Sequence, residues 1–355
     1  MRDKIKVRLG MKTNSTKRIS KRIILFLMAI CILFVWITSY QIYDYKTLQF
    51  NENIVREALA KQLNKNPEDI NSIDYVNAKE LDLGGSKITN LKPLEKLSNL
   101  QYLKLNGIKP TSLKSLAKLT KLQKLDLCAI GALYEEKSKL TTILEKLHLI
   151  NPSRKKIIDI SPFKNLTNLR HLRLDDCNVK SLKPLESLIN LEFLNLWHLN
   201  WLKKDELDIK PLASLTNLEF IHLGNTTVSD ITPLEKLTSL ILWDTPIKDI
   251  KPLSKLSNLG GLYIFDTQVS DLEPLSGLNN FIFLDCRHTN INDISPLENL
   301  TKLNHLQLDE TYISSLEPLH NLKELKKLEI KDCENITDEQ IEILQQVIPD
   351  VNIVR

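Results

Sequence analysis

The sequence predicts an α/β repeat solenoid, in which short parallel strands lie side by side and tight turns join them behind one N-terminal apolar helix. Three observations predict it. A Pro-Leu or Pro-Phe pair recurs at Pro162, Pro184, Pro211, Pro233, Pro252, Pro274, Pro296 and Pro318, with Pro93 ahead of them, mostly at steps of 22 residues. Each step carries the phrase L-x-x-L-x-L, whose alternation marks a short strand with one buried face. One such unit cannot bury its own leucines, whereas a stack of them buries a continuous core.

Taken in order, residues 1–22 form a basic segment with nine Lys and Arg side chains and one acid, Asp3. The formal net charge of +4 comes from this segment, because the remaining residues hold 39 basic and 43 acidic side chains. A chain without a basic stripe beyond its N-terminus is not built for a nucleic-acid partner.

Residues 23–40, "IILFLMAICILFVWITSY", are eighteen positions without a charge. As a helix they span ~27 Å, close to a hydrocarbon core of ~30 Å. Trp36, Tyr40, Tyr43 and Tyr45 stand where an interfacial aromatic belt belongs. Basic residues ahead of the segment predict a single-pass signal anchor, with its N-terminus cytoplasmic and the remainder extracytoplasmic. The alternative is secretion after signal cleavage. A cleaved signal has an apolar stretch of ~7–15 residues and a small-x-small site, and the best match here, Ile37-Thr38-Ser39, is poor. Cys31 follows Ile30 in mid-segment and is no lipoprotein acceptor.

Residues 41–76 read as a juxtamembrane stretch and a helical N-terminal cap. Asn51 is the expected N-cap, and Ile54, Val55, Ala58, Leu59 and Leu63 form the apolar stripe. Residues 77–336 are the repeats, each reading L-x-x-L-x-L-x-x-T-x-I-x-D-I-x-P-L-x-x-L, as in "NLEFIHLGNTTVSDITPLEKL". The proline fixes φ at the start of a tight helical turn. About twelve strands are expected, centred on Asp82, Lys104, Asp126, His148, Arg173, Asn195, His222, Ile241, Tyr263, Asp285, Gln307 and Glu329. At ~4.8 Å per strand they make a parallel sheet ~50 Å long. The period breaks locally. Ser115 takes one proline's place, about five residues are added around "HLNWLKKDELDI", and the step from Pro233 to Pro252 is three short. The 47 residues from Ser115 to Pro162 read as two repeats plus three. Residues 337–355 form a C-terminal cap: Thr337 and Gln340 make a capping box, Ile341 and Leu344 share one face, Pro349 stops the helix, and "VNIV" adds a last strand.

The D-I-x-P-L unit and the stretch "FNENIVREALAKQLNKNPEDINSIDYVNAKELDL" resemble the internalin-type bacterial leucine-rich repeat proteins. The resemblance implies a right-handed, curved, non-enzymatic recognition scaffold, with parallel strands on its concave face and 3₁₀ turns on its convex face. The family's usual asparagine slot holds Thr226, Thr245, Thr267, Thr289 and Thr311, or Cys177 and Cys333. No immunoglobulin-like module and no cell-wall sorting signal follow the repeats, so family roles in adhesion or invasion do not carry over.

Cys177 and Cys333 share an inward slot seven repeats apart, too far to bridge. Cys286 closes a strand's apolar pair and Cys128 follows one, so free, mostly buried thiols are expected. The absence of C-x-x-C removes zinc and thioredoxin-type sites.

The three x positions of x-L-x-L-x face away from the core. The early repeats place Glu80, Tyr102, Lys104, Lys124, Asp126, Lys146 and His148 there, and the late ones Arg287, His305, Gln307, Asp309, Lys327, Glu329 and Lys331. The middle repeats place Phe193, Asn195, Trp197, Phe220, His222, Ile241, Trp243, Tyr263, Phe265 and Phe283 there. Such a contiguous apolar patch with polar ends reads as a binding surface, the bland alternative being cross-strand packing. Trp197, Phe220, Trp243, Tyr263 and Phe265 are the expected anchors, Phe193 and Phe283 extend the patch, and His222, Arg173 and Arg287 are its expected polar partners. His148 and His171 fall on successive strands without a third ligand, so no metal is expected. No catalytic or phosphate-cradling motif and no cofactor signature is present. The expectation is a non-enzymatic, membrane-anchored recognition protein for a protein or peptide. The alternatives are a structural spacer of the envelope or a binder of envelope glycan.

Overall fold

The computed structural model describes residues 3–130, 157–199, 206–234 and 236–355, with side chains at Phe26, at 28–30 and from residue 32 onward. The chain divides into two units, Met1–Asn53 and Ile54–Arg355.

The first unit is a helix. Helix α1 runs unbroken from Asp3 to Leu63, so it crosses into the second unit's sequence. Its stretch from Met28 is long and apolar enough to cross a membrane, and none of its apolar window is buried. Asn51 is not an N-cap. It lies inside α1, and its side-chain amide donates to the carbonyl of Thr47. The expected break before residue 51 is missing because nothing from Tyr40 to Asn53 is a glycine or proline. The apolar stripe is real: Val55 and Leu59 are fully buried and Ile54 and Ala58 pack beside them, although Leu63 is exposed. The capping residue of this region is Asn71, ahead of helix α2 (Ser72–Asn77). Its side chain accepts from the Ile73 and Asp74 amides while Asp74 accepts from the Asn71 amide.

The second unit carries one open parallel sheet of twelve strands in sequence order. The strands are β1 (Glu80–Asp82), β2 (Tyr102–Lys104), β3 (Lys124–Asp126), β4 (His171–Arg173), β5 (Phe193–Asn195) and β6 (Phe220–His222). They continue as β7 (Ser239–Ile241), β8 (Gly261–Tyr263), β9 (Phe283–Asp285), β10 (His305–Gln307), β11 (Lys327–Glu329) and β12 (Asn352–Val354). Each is three residues long, and the first eleven are centred on a buried Leu or Ile, one residue before the centre expected from sequence. The register is exact across neighbours, for example Leu262 opposite Leu284 and Leu240.

One expected strand does not take its place. His148 lies outside the described residues, and β3 pairs directly with β4, Leu125 opposite Leu172. Residues 131–156 lie outside the described residues, and no described strand stands between β3 and β4 in the sheet. Eleven strands come from repeats, and the twelfth comes from the C-terminal cap.

Three regular devices build each repeat. The D-I-x-P-L aspartate caps the turn that follows it: Asp208, Asp230, Asp249, Asp271 and Asp293 each accept from the amide two residues on at 2.8–3.0 Å. The threonine slot closes the loop after the strand. Thr226, Thr267, Thr289 and Thr311 are buried and each donates to the carbonyl three residues back at 2.6 Å. Between strand and threonine the backbone turns left-handed at one residue in every repeat, from Gly85 (φ +69°) and Gly107 to Asp266 (φ +54°), His288 and Glu310. That residue's amide reaches the next repeat, as Asp266 N–H does to Arg287 O at 3.2 Å.

The core is a set of leucine rows running the length of the sheet, with Phe163 and Phe281 filling leucine positions at full burial. At the C-terminal end, helix α3 (Asp338–Val347) buries Leu344, and Thr337 accepts from the Gln340 amide at 3.3 Å. Only half of the expected capping box forms, because the Gln340 side chain donates instead to the Ser314 carbonyl at 3.0 Å.

Candidate functional site

The strand register lines the outward side chains up in three columns, one for each x position. The first column runs His171, Phe193, Phe220, Ser239, Gly261, Phe283, His305. The second runs Arg173, Asn195, His222, Ile241, Tyr263, Asp285, Gln307. The third, two residues past the end of each strand, runs Asp175, Trp197, Gly224, Trp243, Phe265, Arg287, Asp309.

The seven aromatic residues expected in the middle repeats each meet another ring, some stacked and some tilted. In the first column Phe193 and Phe220 lie parallel, with centroids 4.5 Å apart and an interplanar angle of 1°, and His171 stacks on Phe193 at 5.9 Å. In the third column Trp243 and Phe265 stack at 5.3 Å and 8°, while Trp197 meets Trp243 at 6.5 Å. A glycine makes the last contact possible. A Cβ on Gly224 would stand 2.8 Å from the Trp243 ring and 2.9 Å from His222 Nε2, so the indole crosses the strand where no side chain opposes it. Tyr263 leaves the second column to meet Phe283 at 4.5 Å, beside Gly261. The rings are half-buried by one another, and Ser239 and Gly261 leave the first column without a ring between Phe220 and Phe283.

The three expected polar partners behave differently from one another. Arg287 forks onto Asp285 of its own repeat, Nε to Oδ1 and a second guanidinium nitrogen to Oδ2, both at 2.8 Å, and its guanidinium covers the Phe265 ring at 5.2 Å. Arg173 makes the mirror-image pair with buried Asp175 at 3.1 Å. Both arginines are thus committed to aspartates and end the aromatic patch rather than offering it free cations. His222 is held under the rings, with burial pushing its pKa down to about 4, and its Nε2 and the Trp197 Nε1 are buried without a hydrogen-bond partner.

Sequence reasoning placed His305 on this face but missed Gly224 and the contacts that the flanking histidines make with the rings. His198 stacks on Trp197 at 5.4 Å and its Nδ1 is 2.9 Å from Asp176, and His305 lies 6.4 Å from Phe283. Gly224 and His305 occupy x-L-x-L-x slots and His198 lies one position past one, and that register was the available signal. Near the polar early repeats a depression of about 510 Å³ opens on the same face, lined by Tyr102, Lys124, His171, Arg173 and Phe193 among others. On the neighbouring strand β3 it is Lys124 that stands opposite His171, and His148 lies outside the described residues. Among the described residues no three metal-ligating side chains are grouped to hold an ion.

The described cysteines are free thiols. Burial pushes Cys128 up to about 12 with help from the Asp175 carboxylate, and raises Cys177 and Cys286 as well. Cys177 and Cys333, in the threonine slot, donate instead to a carbonyl of the preceding repeat, Leu127 and Leu308, both at 3.1 Å.

Neither a protein-family model nor a curated protein matches the sequence. Solved structures do. An internalin of Listeria monocytogenes, InlF, is 26% identical with a TM-score of 0.60, over 85% of this chain and 94% of that one. The functional domain of InlJ from the same organism, described as including a cysteine ladder, is 21% identical with a TM-score of 0.58, over 79% of this chain and 60% of that one. A plant peptide hormone receptor, RGFR1 in complex with RGF2, is 19% identical with a TM-score of 0.52, over 73% of this chain and 43% of that one.

Proposed function

We propose that this chain, an internalin-type leucine-rich repeat protein by its repeats and fold, is a non-enzymatic recognition protein. It is held to a membrane by residues 23–40 and binds a protein or peptide on its concave aromatic face. The observation that carries the reading is the unbroken run Trp197–Trp243–Phe265–Arg287 beside the pairs Phe193–Phe220 and Tyr263–Phe283. A solenoid needs no ring at any of these positions, since its leucine rows already hold the core. Aromatic and arginine side chains at the centre of a surface with polar ends are the composition of an interface hot spot.

Ring geometry favours protein over glycan. Parallel rings 4.5–5.3 Å apart spend their faces on each other and present edges, whereas a sugar stacks on an open face. The structure of RGFR1 with RGF2 supports peptide recognition as something this architecture does.

The test is crosslinking of the full chain in its native membrane, followed by capture with the double variant Trp243→Ala/Phe265→Ala. Each lost aromatic pair costs ~0.5–1.5 kcal/mol beyond area burial, so a modest fall in melting temperature is expected alongside complete loss of the crosslinked partner. A partner that is retained by a destabilised double variant means that the rings only pack.

A further inference from the structure

Charge is divided along the repeats. Residues 79–130 hold ten basic and four acidic side chains and residues 157–199 five of each, whereas residues 206–336 hold eleven basic against twenty acidic. The division is clearest on the turn side, away from the aromatic face. The residue that opens the turn is Lys92, Lys114, Lys183, Lys210 and Lys251 through the early and middle repeats, with Ser161 the exception, and Glu273, Ser295 and Glu317 in the last three. Lys109 and Lys180 project from the loops just before two of these turns, and Lys164 lies within the turn Ser161–Asn165. Lys92, Lys109, Lys114, Lys164, Lys180 and Lys183 are all exposed, and none forms an ion pair among the described residues. Lys164, Lys180 and Lys183 border a depression of about 480 Å³ with Ile160 and Pro184 in its wall. Two acids also line it, Glu186 and Asp159, and Asp159 is engaged by the Ser161 amide at 2.9 Å.

We propose that the turn face of these early repeats is a second docking surface, and that its occupant is a linear phosphate polymer carrying a charge on each short unit. Lysines binding as point charges suit phosphate oxygens. The turn backbone offers a peptide no edge to pair with, because the capping side chains already hold its amides. No aromatic lines the depression to stack a base. The surface is independent of the concave reading and is tested apart from it.

The full chain in non-ionic detergent is titrated with end-labelled inorganic polyphosphate and read by anisotropy, with melting curves alongside. The triple variant Lys164→Gln/Lys180→Gln/Lys183→Gln is compared with Lys248→Gln/Lys251→Gln/Lys255→Gln, which removes the same charge farther along the solenoid. The first is expected to weaken binding at least ~10-fold and the second less than ~2-fold, and the slope of log affinity against log salt falls by about 2 in the first, at ~0.7–0.9 per phosphate contact. Trp243→Ala/Phe265→Ala binds polyphosphate like the wild type. The proposal is overturned by no binding to polyphosphate, by equal loss in both triples, by equal affinity for duplex DNA, or by phosphatidylglycerol vesicles displacing the polymer through the same lysines.

Discussion

At β6 the imidazole of His222 and the indole of Trp243 converge over Gly224, a position with no side chain to keep them apart. A ring held there loses water around its charged form, so the folded chain keeps His222 neutral down to about pH 4, against an ordinary value of 6.5. The sign follows directly. Above about pH 6.5 the residue is neutral folded and unfolded, and stability is unaffected. As pH falls from 6.5 to 4 the unfolded chain takes up a proton that the folded chain refuses, and stability is lost across that window. Urea unfolding midpoints at pH 7.0, 5.5 and 4.5 are expected to fall in the wild type more steeply than in His222→Gln, which cannot take up that proton. Parallel slopes in the two proteins would show that His222 is freely hydrated in the fold.

Among the elements, the 3₁₀ turn is the part whose chemistry was half legible. D-I-x-P-L shows a proline fixing φ, and that alone predicts a tight turn. The aspartate's role as a cap stayed hidden because it depends on a hydrogen bond that exists only once the turn has formed. Asp249 accepts from the Lys251 amide at 2.8 Å, as its counterparts do in the neighbouring repeats. Asp249→Ala is expected to cost ~1 kcal/mol, the usual scale for a lost cap, measured as a drop in urea midpoint with unchanged slope. Lys248→Ala, one residue away and exposed, should cost less than ~0.5 kcal/mol. The concave columns were legible for the opposite reason: strand alternation assigns every x residue to a face without knowledge of contacts. The strand expected at His148 rested on "LEKLHL", which repeats the L-x-x-L-x-L phrase. A 47-residue gap is satisfied equally by an extra repeat or by an insertion, and only the direct pairing of β3 with β4 shows that no strand stands between them. Asn51 misled because an asparagine inside a helix and one at its start look alike in sequence when no breaker precedes them.

At the scale of the repeat unit, each strand touches only its neighbours, so stability should behave as a sum of repeat and interface contributions. The C-terminal cap is where that can be read. Helix α3 and β12 cover β11: Leu344, Ile348 and Val351 are buried, and the Ile330 amide donates to the Val354 carbonyl at 2.9 Å. Removing residues 337–355 strips that partner and leaves β11 as an open edge, a template for pairing with another chain. Hydrogen exchange on the truncated chain should therefore show the Ile330 amide unprotected and the Leu308 amide, bonded to Glu329 O, weakened. Leu105, bonded to Asp126 O at 2.8 Å near the other end, should keep its protection. Concentration-dependent aggregation is expected with it, since the exposed edge joins copies. A nearest-neighbour stack loses protection in a gradient from the damaged end, because each lost interface lowers only the opening cost of the repeat beside it. Equal loss at Leu105 and Leu308 would mean instead that the unit opens as a single cooperative body, and that the leucine rows couple repeats over the whole length of the sheet.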